Sequence, residues 1–164
     1  MVRRFHEVWS TLPNDSLPRG FSLEQVVTLA SLVESETGVA DERPVIAGVF
    51  YNRLRLGRAL ECDPTVIYAL ELAGKYRGSL FKRDMRFNSP YNTYRYRGLP
   101  PGPIANVGEA ALRAALEPAK TDYLYFVSDA QGGHLFSRTL REHNANVARY
   151  RRLQADAARG RSGG

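Results

Sequence analysis

Apolar and polar positions follow the period of an α-helix most clearly over residues 22–37. This segment reads SLEQVVTLASLVESET, without glycine or proline, and Ser22 with Gln25 three residues later forms a capping-box start. At about 100° per residue, the apolar positions fall on one continuous arc, and Thr28 and Ser31 lie opposite. The pattern therefore predicts an amphipathic helix that packs one side on the core. Its arc consists of Leu23, Val26, Val27, Leu29, Ala30 and Val33.

One acidic residue, Glu34, interrupts this arc by projecting between Leu23 and Val27. A bare buried carboxylate is costly, so it must be paired, neutralised by a raised pKa, or placed at the edge of a pocket. An ordinary ion pair is the structural alternative, and Arg53 is a candidate partner. Glu36 is expected at the margin of the arc, in reach of water. Glu34 is therefore either an ion-paired residue or a functional carboxyl group at the edge of a pocket.

Start and stop signals predict four further helices. Gly57 ends the second helix, and the last one runs from 139 to about 158. Asp63, which precedes a proline, is interpreted as a helix cap rather than as a catalytic acid. The residues that open or cap these helices are Pro44, Asp63, Asn106 with Glu109, and Thr139 with Glu142.

Two β-like runs, 123–127 and 134–137, flank the turn sequence DAQGG and predict a hairpin. The expected fold class is therefore α+β, a mainly helical domain with a small antiparallel sheet. A chain of 164 residues with 43% hydrophobic content is the size of one compact domain. We divide it into a lead-in over 1–21, a main domain over 22–158 and a disordered tail over 159–164.

Charge and composition exclude some classes of protein and leave others open. The net charge of +6, from 23 basic and 17 acidic residues, is compatible with an acidic polymer, a nucleic acid or an anionic membrane. A single cysteine, Cys62, excludes an internal disulfide framework and a cysteine-based metal cluster. No apolar run approaches the roughly 20 residues of a membrane helix, so we expect a soluble chain without membrane contact of its own.

Residues 74–108 are rich in turns, aromatic rings and prolines, and such a long irregular segment is usually functional. The run YNTYRYR at 91–97 interleaves rings, amides and cations, which suits stacking on sugars or bases. An exposed strand rich in tyrosine is the alternative, and a histidine at a turn is often only a strand end. The candidate substrate-binding residues are Tyr91, Asn92, Thr93 and Tyr94, with Asn52, Asn106 and His134 at the rim.

Several blocks of this sequence resemble the endolytic murein transglycosylases, the YceG-like family. In order, between Leu29 and Asn144, they read LASLVESETGVADERPVIAGVFYNRL, DPTVIYAL, SPYNTYRYRGLPPGPIAN, PAKTDYLYFVSD, GGHLFS and EHN. The resemblance implies cleavage of the MurNAc–GlcNAc bond in peptidoglycan glycan strands, leaving 1,6-anhydro ends. It also implies that Glu34 is the general acid and base, and that no metal or cofactor is needed. Cys62 stands where the family often has Thr or Ser, and we assign it no role.

The resemblance also implies a location and partners. Family members carry a membrane helix and a LysM-like region, and neither precedes Phe5 here, so we expect an excised catalytic domain. The whole protein would lie on the extracytoplasmic face of the cell membrane, with cell-wall synthases as partners and no nucleic acid. Two alternatives are a non-catalytic wall-glycan binding module and a basic nucleic-acid-binding domain.

A lytic reaction needs one carboxyl group, whereas hydrolysis needs two. The sequence offers poor candidates for a second one. Glu36 is expected to face away from Glu34, Asp63 is interpreted as a cap, and the pattern does not orient Glu61. We therefore expect one carboxyl group to act alone.

Overall fold

The computed structural model describes residues 17–163, where the chain forms five α-helices and one two-stranded antiparallel sheet. The predicted α+β class, mainly helical with a small hairpin, is confirmed. Residues 1–16 of the predicted lead-in lie outside the described part. The helices are α1 (Leu23–Glu36), α2 (Arg43–Arg55), α3 (Asp63–Leu72), α4 (Glu109–Leu116) and α5 (Leu140–Ser162), and the strands are β1 (Tyr125–Ser128) and β2 (His134–Ser137).

Helix α1 is the centre of the core. The predicted capping box is confirmed, because Ser22 Oγ accepts from the Gln25 backbone N–H at 3.2 Å and Gln25 Oε1 accepts from the Ser22 N–H at 2.9 Å. The helix packs on α4 and α2, and burial of its aliphatic side chains is the main force that holds it there. Its fully buried aliphatic residues are Val26, Leu29, Ala30, Leu32 and Val33.

A second side of α1 is also buried, which differs from the single arc that the pattern predicted. Thr28 and Ser31 were expected to face water, yet both are buried. The Ser31 hydroxyl donates to the Thr28 carbonyl at 2.6 Å and accepts from the Ile104 backbone N–H at 3.0 Å. The irregular segment before α4 therefore covers what would otherwise be the polar face of the helix.

Two predicted helix caps are wrong by one or two residues. Cys62 occupies the cap position of α3, and Asp63 is its first helical residue with no capping hydrogen bond. Proline fits the second helical position as well as the first, so Pro64 did not fix the start. Gly108 rather than Asn106 precedes α4, and Asn106 is exposed. The Asp63 carboxyl group is therefore available for other contacts.

The hairpin and α5 lie on the other side of α2. Strands β1 and β2 pair Tyr125 with Ser137 and Ser128 with His134, as the turn sequence predicted. Thr139 caps α5 by accepting from the Glu142 N–H at 3.2 Å, which confirms that start. The helix packs on both strands although none of its residues is buried. It continues to Ser162, so residues 159–162 are helical where a disordered tail was expected.

Candidate active site

A cleft of about 560 Å³ opens where the end of α1, the start of α3, the hairpin and the first half of α5 meet. Its chemically active side chains come from five separate segments of the chain. Because each segment is fixed by the core or by the hairpin, the fold brings together groups that are far apart in sequence. These groups are Glu36, Arg53, Glu61, Asp63, Tyr94 and His134.

Glu36 is the last residue of α1 and carries the most perturbed carboxyl group of the cleft. At 100° per residue, Glu36 points in nearly the same direction as Leu29 and Leu32. Both leucines are fully buried, so Glu36 extends from the buried face of the helix into the cleft. The pKa of Glu36 is raised from 4.5 to about 7, chiefly because the carboxyl group is buried and to a smaller extent because of the negative charge of Asp63. A hydrogen bond from Cys62 and the charge of His134 act in the opposite direction. Glu36 can therefore hold or release a proton near neutral pH.

A second carboxyl group of the cleft, Asp63, is bonded to Tyr94. The Tyr94 hydroxyl donates to Asp63 Oδ1. Burial, followed by this hydrogen bond, raises the pKa of Tyr94 well above its usual range, so the phenol stays protonated and keeps donating. The bond orients Asp63 and holds the ring of Tyr94 at the cleft wall.

The third carboxyl group, Glu61, stands on strained backbone and faces Arg53. Its φ of +50° lies in the left-handed region, which is uncommon for a residue other than glycine. The Arg53 guanidinium lies 3.6 Å from Glu61 Oε2 and donates to the carbonyls of Leu124 at 2.6 Å and Ala59 at 2.7 Å. The predicted pairing of Arg53 with Glu34 is therefore wrong, and Arg53 instead ties α2 to β1 and to the segment before α3.

His134 reaches the cleft from the start of β2, and its orientation is fixed by Glu42. The Glu42 carboxylate accepts from the His134 backbone N–H at 2.7 Å and lies 2.8 Å from His134 Nδ1. An Nδ1–H bonded to a carboxylate leaves Nε2 as the ring nitrogen that is free to meet a ligand. Sequence reasoning proposed His134 but missed Glu42.

Another part of the cleft wall contains a flat aromatic pair. The rings of Tyr125 and His143 stack with centroids 4.9 Å apart and planes inclined by 22°, and the Arg53 guanidinium lies 5.0 Å from the Tyr125 centroid. Burial and the charge of Arg53 lower the pKa of His143, which favours a neutral ring. The side chains of this wall were missed, although both lie in sequence blocks that carried the family resemblance.

Glu34 lies on the other side of α1, away from the cleft. Residues two positions apart on a helix differ by about 200° in direction, so Glu34 and Glu36 cannot both line this cleft. The neighbours of Glu34 on the helix surface, Leu23 and Val27, are only partly buried. Its Oε1 lies 3.4 Å from where a Cβ atom on Gly108 would stand, at the start of α4. Catalysis by Glu34 stays a prediction, and the geometry favours Glu36.

Asn92 and Thr93 are enclosed by the protein and fix the conformation of residues 91–97, the aromatic loop. The Asn92 amide donates to the carbonyls of Met85 and Phe87, and its Oδ1 accepts from the Tyr94 N–H. Both residues are buried, with 0% and 2% of their surface exposed, so neither offers a surface to a ligand. They hold the backbone next to Tyr94 in place and do not contact substrate.

The remaining candidates lie outside the cleft lining. Tyr91 packs edge-on against Tyr68, with ring centroids 4.9 Å apart. Asn52 donates to the carbonyls of Thr121 and Tyr123 at 2.8 and 2.9 Å, which ties α2 to the segment before β1. Asn106 is exposed in front of α4. Of the predicted substrate contacts, the structure brings Tyr94 and His134 to the cleft.

The sequence contained a signal for Glu36. Leu32 was not included in the predicted arc. Including it shifts the centre of the apolar side, and Glu36 then follows Leu29 by seven residues and Leu32 by four. A helix buried on two sides therefore changes which glutamate faces the interior.

The described residues contain neither an obvious metal site nor a membrane span. Within 17–163, no three His, Cys, Asp or Glu side chains are grouped so that they could hold a metal ion. In the same range, no helix has the length and apolar content required to cross a bilayer.

The fold and the site together define a mainly helical α+β domain with a cleft lined by carboxyl groups. The sequence profile of the YceG-like family matches residues 1–149, and the chain belongs to that family. It is 42% identical over 150 residues to the endolytic murein transglycosylase of Bacillus subtilis strain 168, covering 92% of this chain and 41% of that protein. It is 33% identical to the enzyme of the same name from Streptococcus pneumoniae strain D39, covering 92% and 27%.

A solved structure has the same fold. The crystal structure of a YceG-like protein from Listeria monocytogenes superposes with a TM-score of 0.70 at 39% sequence identity, over 88% of this chain and 43% of that one. The present chain thus spans less than half the length of each of these relatives.

Proposed function

We propose that this chain cleaves the glycan strands of peptidoglycan as an endolytic lytic transglycosylase, with Glu36 as its general acid and base. The observation that carries the proposal is a carboxyl group with a pKa of about 7 in a cleft of about 560 Å³. The family membership and the names of the similar proteins support the reaction class. Glu36 takes the role that the sequence pattern suggested for Glu34.

In the first step, protonated Glu36 donates its proton to the glycosidic oxygen between two sugars. The bond from C1 of the muramic acid residue to that oxygen breaks, and positive charge develops at C1 and the ring oxygen. A carboxyl group with a pKa near neutrality is suited to this step, since it is still protonated yet acidic enough to donate. The carboxylates of Asp63 and Glu61 supply negative charge to the same cleft.

In the second step, the Glu36 carboxylate accepts the proton of the C6 hydroxyl of the same muramic acid ring. The C6 oxygen bonds to C1, which gives a 1,6-anhydro end and returns Glu36 to its protonated form. No water is consumed. A hydroxyl group tethered to the reacting ring has a high effective concentration compared with solvent, provided that the ring adopts the required pucker.

Hydrolysis is the second candidate, because Asp63 and Glu61 line the same cleft as Glu36. A second carboxylate can activate water or attack C1 directly. The hydrogen bond from Tyr94 favours the lyase reading, since it occupies one oxygen of Asp63. Mass spectrometry of a digest in ¹⁸O-water separates the two. Anhydro products carry no label and resist borohydride, whereas labelled, reducible products would show a hydrolase and overturn the lyase assignment.

The decisive test compares Glu36→Gln with Glu34→Gln in digestion of purified sacculi. Both variants replace one carboxyl group of the same helix by an amide and keep the side-chain shape. We expect Glu36→Gln to lose at least about a thousandfold in rate, since it removes the group that donates the proton in the first step and accepts it in the second, and Glu34→Gln to stay within a few-fold of the parent. Undiminished digestion by Glu36→Gln would overturn its role, and loss in Glu34→Gln alone would return the role to Glu34.

The same experiment tests the non-catalytic alternative, a wall-glycan binding module. Retention on sacculi without release of muropeptides by the parent chain would support that reading instead. In the whole protein, a peptidoglycan substrate requires the domain to stand on the extracytoplasmic side of the membrane. Cell-wall synthases are the partners that fit such a position.

A further inference from the structure

We propose that a buried hydrogen-bond chain of Thr65, Thr93 and Cys62 positions Glu36, with the Cys62 thiol as the group that holds its carboxylate. The inference rests on the proposed role of Glu36. It gives Cys62 and Thr93 positioning roles that act through Glu36. The sequence had suggested no role for Cys62 and a substrate contact for Thr93.

The contacts form one continuous path from the aromatic loop to the cleft. The Thr93 hydroxyl lies 2.8 Å from the Thr65 hydroxyl and accepts from the Cys62 backbone N–H at 2.9 Å. Thr65 in turn donates to the Cys62 carbonyl at 2.7 Å. Cys62 Sγ lies 3.2 Å from Glu36 Oε1. All three residues of the path are at least 98% buried, so water does not compete for these groups.

Cys62 is suited to donate at every working pH. Burial and the nearby charge of Glu36 raise the pKa of the thiol well above its usual range, so the S–H proton is retained. A donor of this kind stabilises the ionised form of Glu36 more than the neutral form. It also restrains the carboxyl to one orientation, because the thiol is itself fixed by the two threonines.

Other charged and titratable groups also face Glu36, and none of them replaces this donor. Asp63 and Glu61 approach from the segment at the start of α3 and carry the same charge as Glu36. Arg53 of α2 is engaged by Glu61 and by two carbonyls. The remaining groups are Tyr94, which donates to Asp63, His134, which is bonded to Glu42, and His143 on α5.

The test uses the matched pair Cys62→Thr and Cys62→Val, which have nearly the same shape and differ in one hydroxyl group. The pKa of Glu36 is measured by NMR of chains labelled with ¹³C at the glutamate carboxyl, with Glu36→Gln used to assign the signal. We expect the pKa in Cys62→Val to exceed that in Cys62→Thr by about half a unit to one unit. The alkaline limb of the kcat/KM profile should move upward by the same amount, because a higher pKa keeps the acid protonated to higher pH.

Thr93→Val and Thr93→Ser extend the test along the path. The valine variant leaves the buried Cys62 N–H without its acceptor, and the serine variant restores the hydroxyl. We expect Thr93→Val to broaden or shift the Glu36 signal and to lower kcat about tenfold or more, with recovery in Thr93→Ser. Equal Glu36 pKa values in Cys62→Thr and Cys62→Val would overturn the proposal.

This readout separates two kinds of failure. The NMR titration reports on the link between Cys62 and Glu36 whether or not Glu36 is catalytic. Conversely, if Glu36→Gln still digests sacculi, the proposed function fails while the positioning contact can persist. A smaller pair, Cys62→Ser and Cys62→Ala, should show the same difference in the pKa of Glu36 without an added methyl group. Equal pKa values in this pair would also contradict the role of the thiol as hydrogen-bond donor.

Discussion

Two glutamates, two residues apart on α1, meet opposite environments. Glu36 enters a cleft behind two fully buried leucines, and burial raises its pKa to about 7. Glu34 lies beside partly buried neighbours and next to Gly108 at the start of α4. The two side chains have the same chemistry, so the difference comes entirely from their surroundings.

This comparison shows how the covering of a helix decides the chemistry of its side chains. If only one side of α1 packed on the core, as the pattern predicted, Glu34 would point toward that side. The irregular segment before α4, through Ile104, buries Ser31 and so adds a second interior direction. The centre of the buried surface then moves toward Leu32, and the same α-helix places Glu36 in the cleft and Glu34 beside the start of α4.

The largest expected effect on stability concerns Glu36 and pH. The folded-state pKa of about 7 exceeds the ordinary value of 4.5, so the folded chain binds this proton more tightly than the unfolded chain. The resulting stabilisation is complete below about pH 4.5 and is lost as pH rises through 7. Relative to the parent, Glu36→Gln should therefore gain stability by about 2–3 kcal/mol between pH 5 and pH 8. Urea unfolding at each pH measures the gap.

The control for this experiment is Glu34→Gln in the same buffers. We expect the gap between this variant and the parent to stay nearly constant from pH 5 to pH 8. A constant gap for Glu36→Gln as well would show that its carboxyl group is not desolvated in the folded chain. That result would remove the physical basis for choosing Glu36 over Glu34.

The next effect, on glycan binding, separates Tyr94 from Tyr91. Only Tyr94 lines the cleft on the Glu36 side, whereas Tyr91 packs against Tyr68. Tyr94→Ala should weaken binding of glycan oligomers to the Glu36→Gln chain by about 1–3 kcal/mol, by analogy with stacking on other flat partners. Isothermal titration measures this change, with Tyr94→Phe retaining most of the affinity. A larger loss in Tyr91→Ala than in Tyr94→Ala would contradict the position of the site.

The smallest effect concerns what Glu34 does on its own side of α1. Its carboxylate lies near the start of α4, where Gly108 provides no side-chain cap. A negative charge at the N-terminal end of a helix contributes about 0.3–1 kcal/mol at low ionic strength. Glu34→Gln should lower the free energy of unfolding by that amount at low salt and by less at high salt. An unchanged stability at both salt concentrations would leave Glu34 without this role.

Local signals predicted most of the fold because they act over a few residues. The capping box at Ser22, the cap at Thr139 and the turn residues of the hairpin all fixed elements that the structure contains. The errors at Asp63 and Asn106 arose where two neighbouring positions satisfy the same local rule. The helix continues past Arg159, which donates to Asp156 at 3.0 Å. This continuation was not predicted because the polar composition of residues 159–164 is also typical of a disordered tail.

The site was harder to predict because it depends on contacts between distant segments. Tyr94 and His134 could be proposed from residue type and turn position alone. The Glu42 bond to His134 spans 92 residues, and the Cys62 bond to Glu36 spans 26. No periodicity encodes such contacts. Asn92 shows the reverse case, since an amide in a polar, aromatic run suggested binding but is used to close the loop on itself.

Helix α5 contributes one wall of the cleft through Leu140, His143, Asn144 and Val147, yet it has no buried residue of its own. A segment held by so few enclosed side chains opens at a lower free-energy cost than the core around α1. Its backbone amides should accordingly exchange with deuterated solvent well before those of α1. On the proposed function, a brief outward displacement of this wall would admit a glycan strand from the side, so that the strand need not enter by one of its ends.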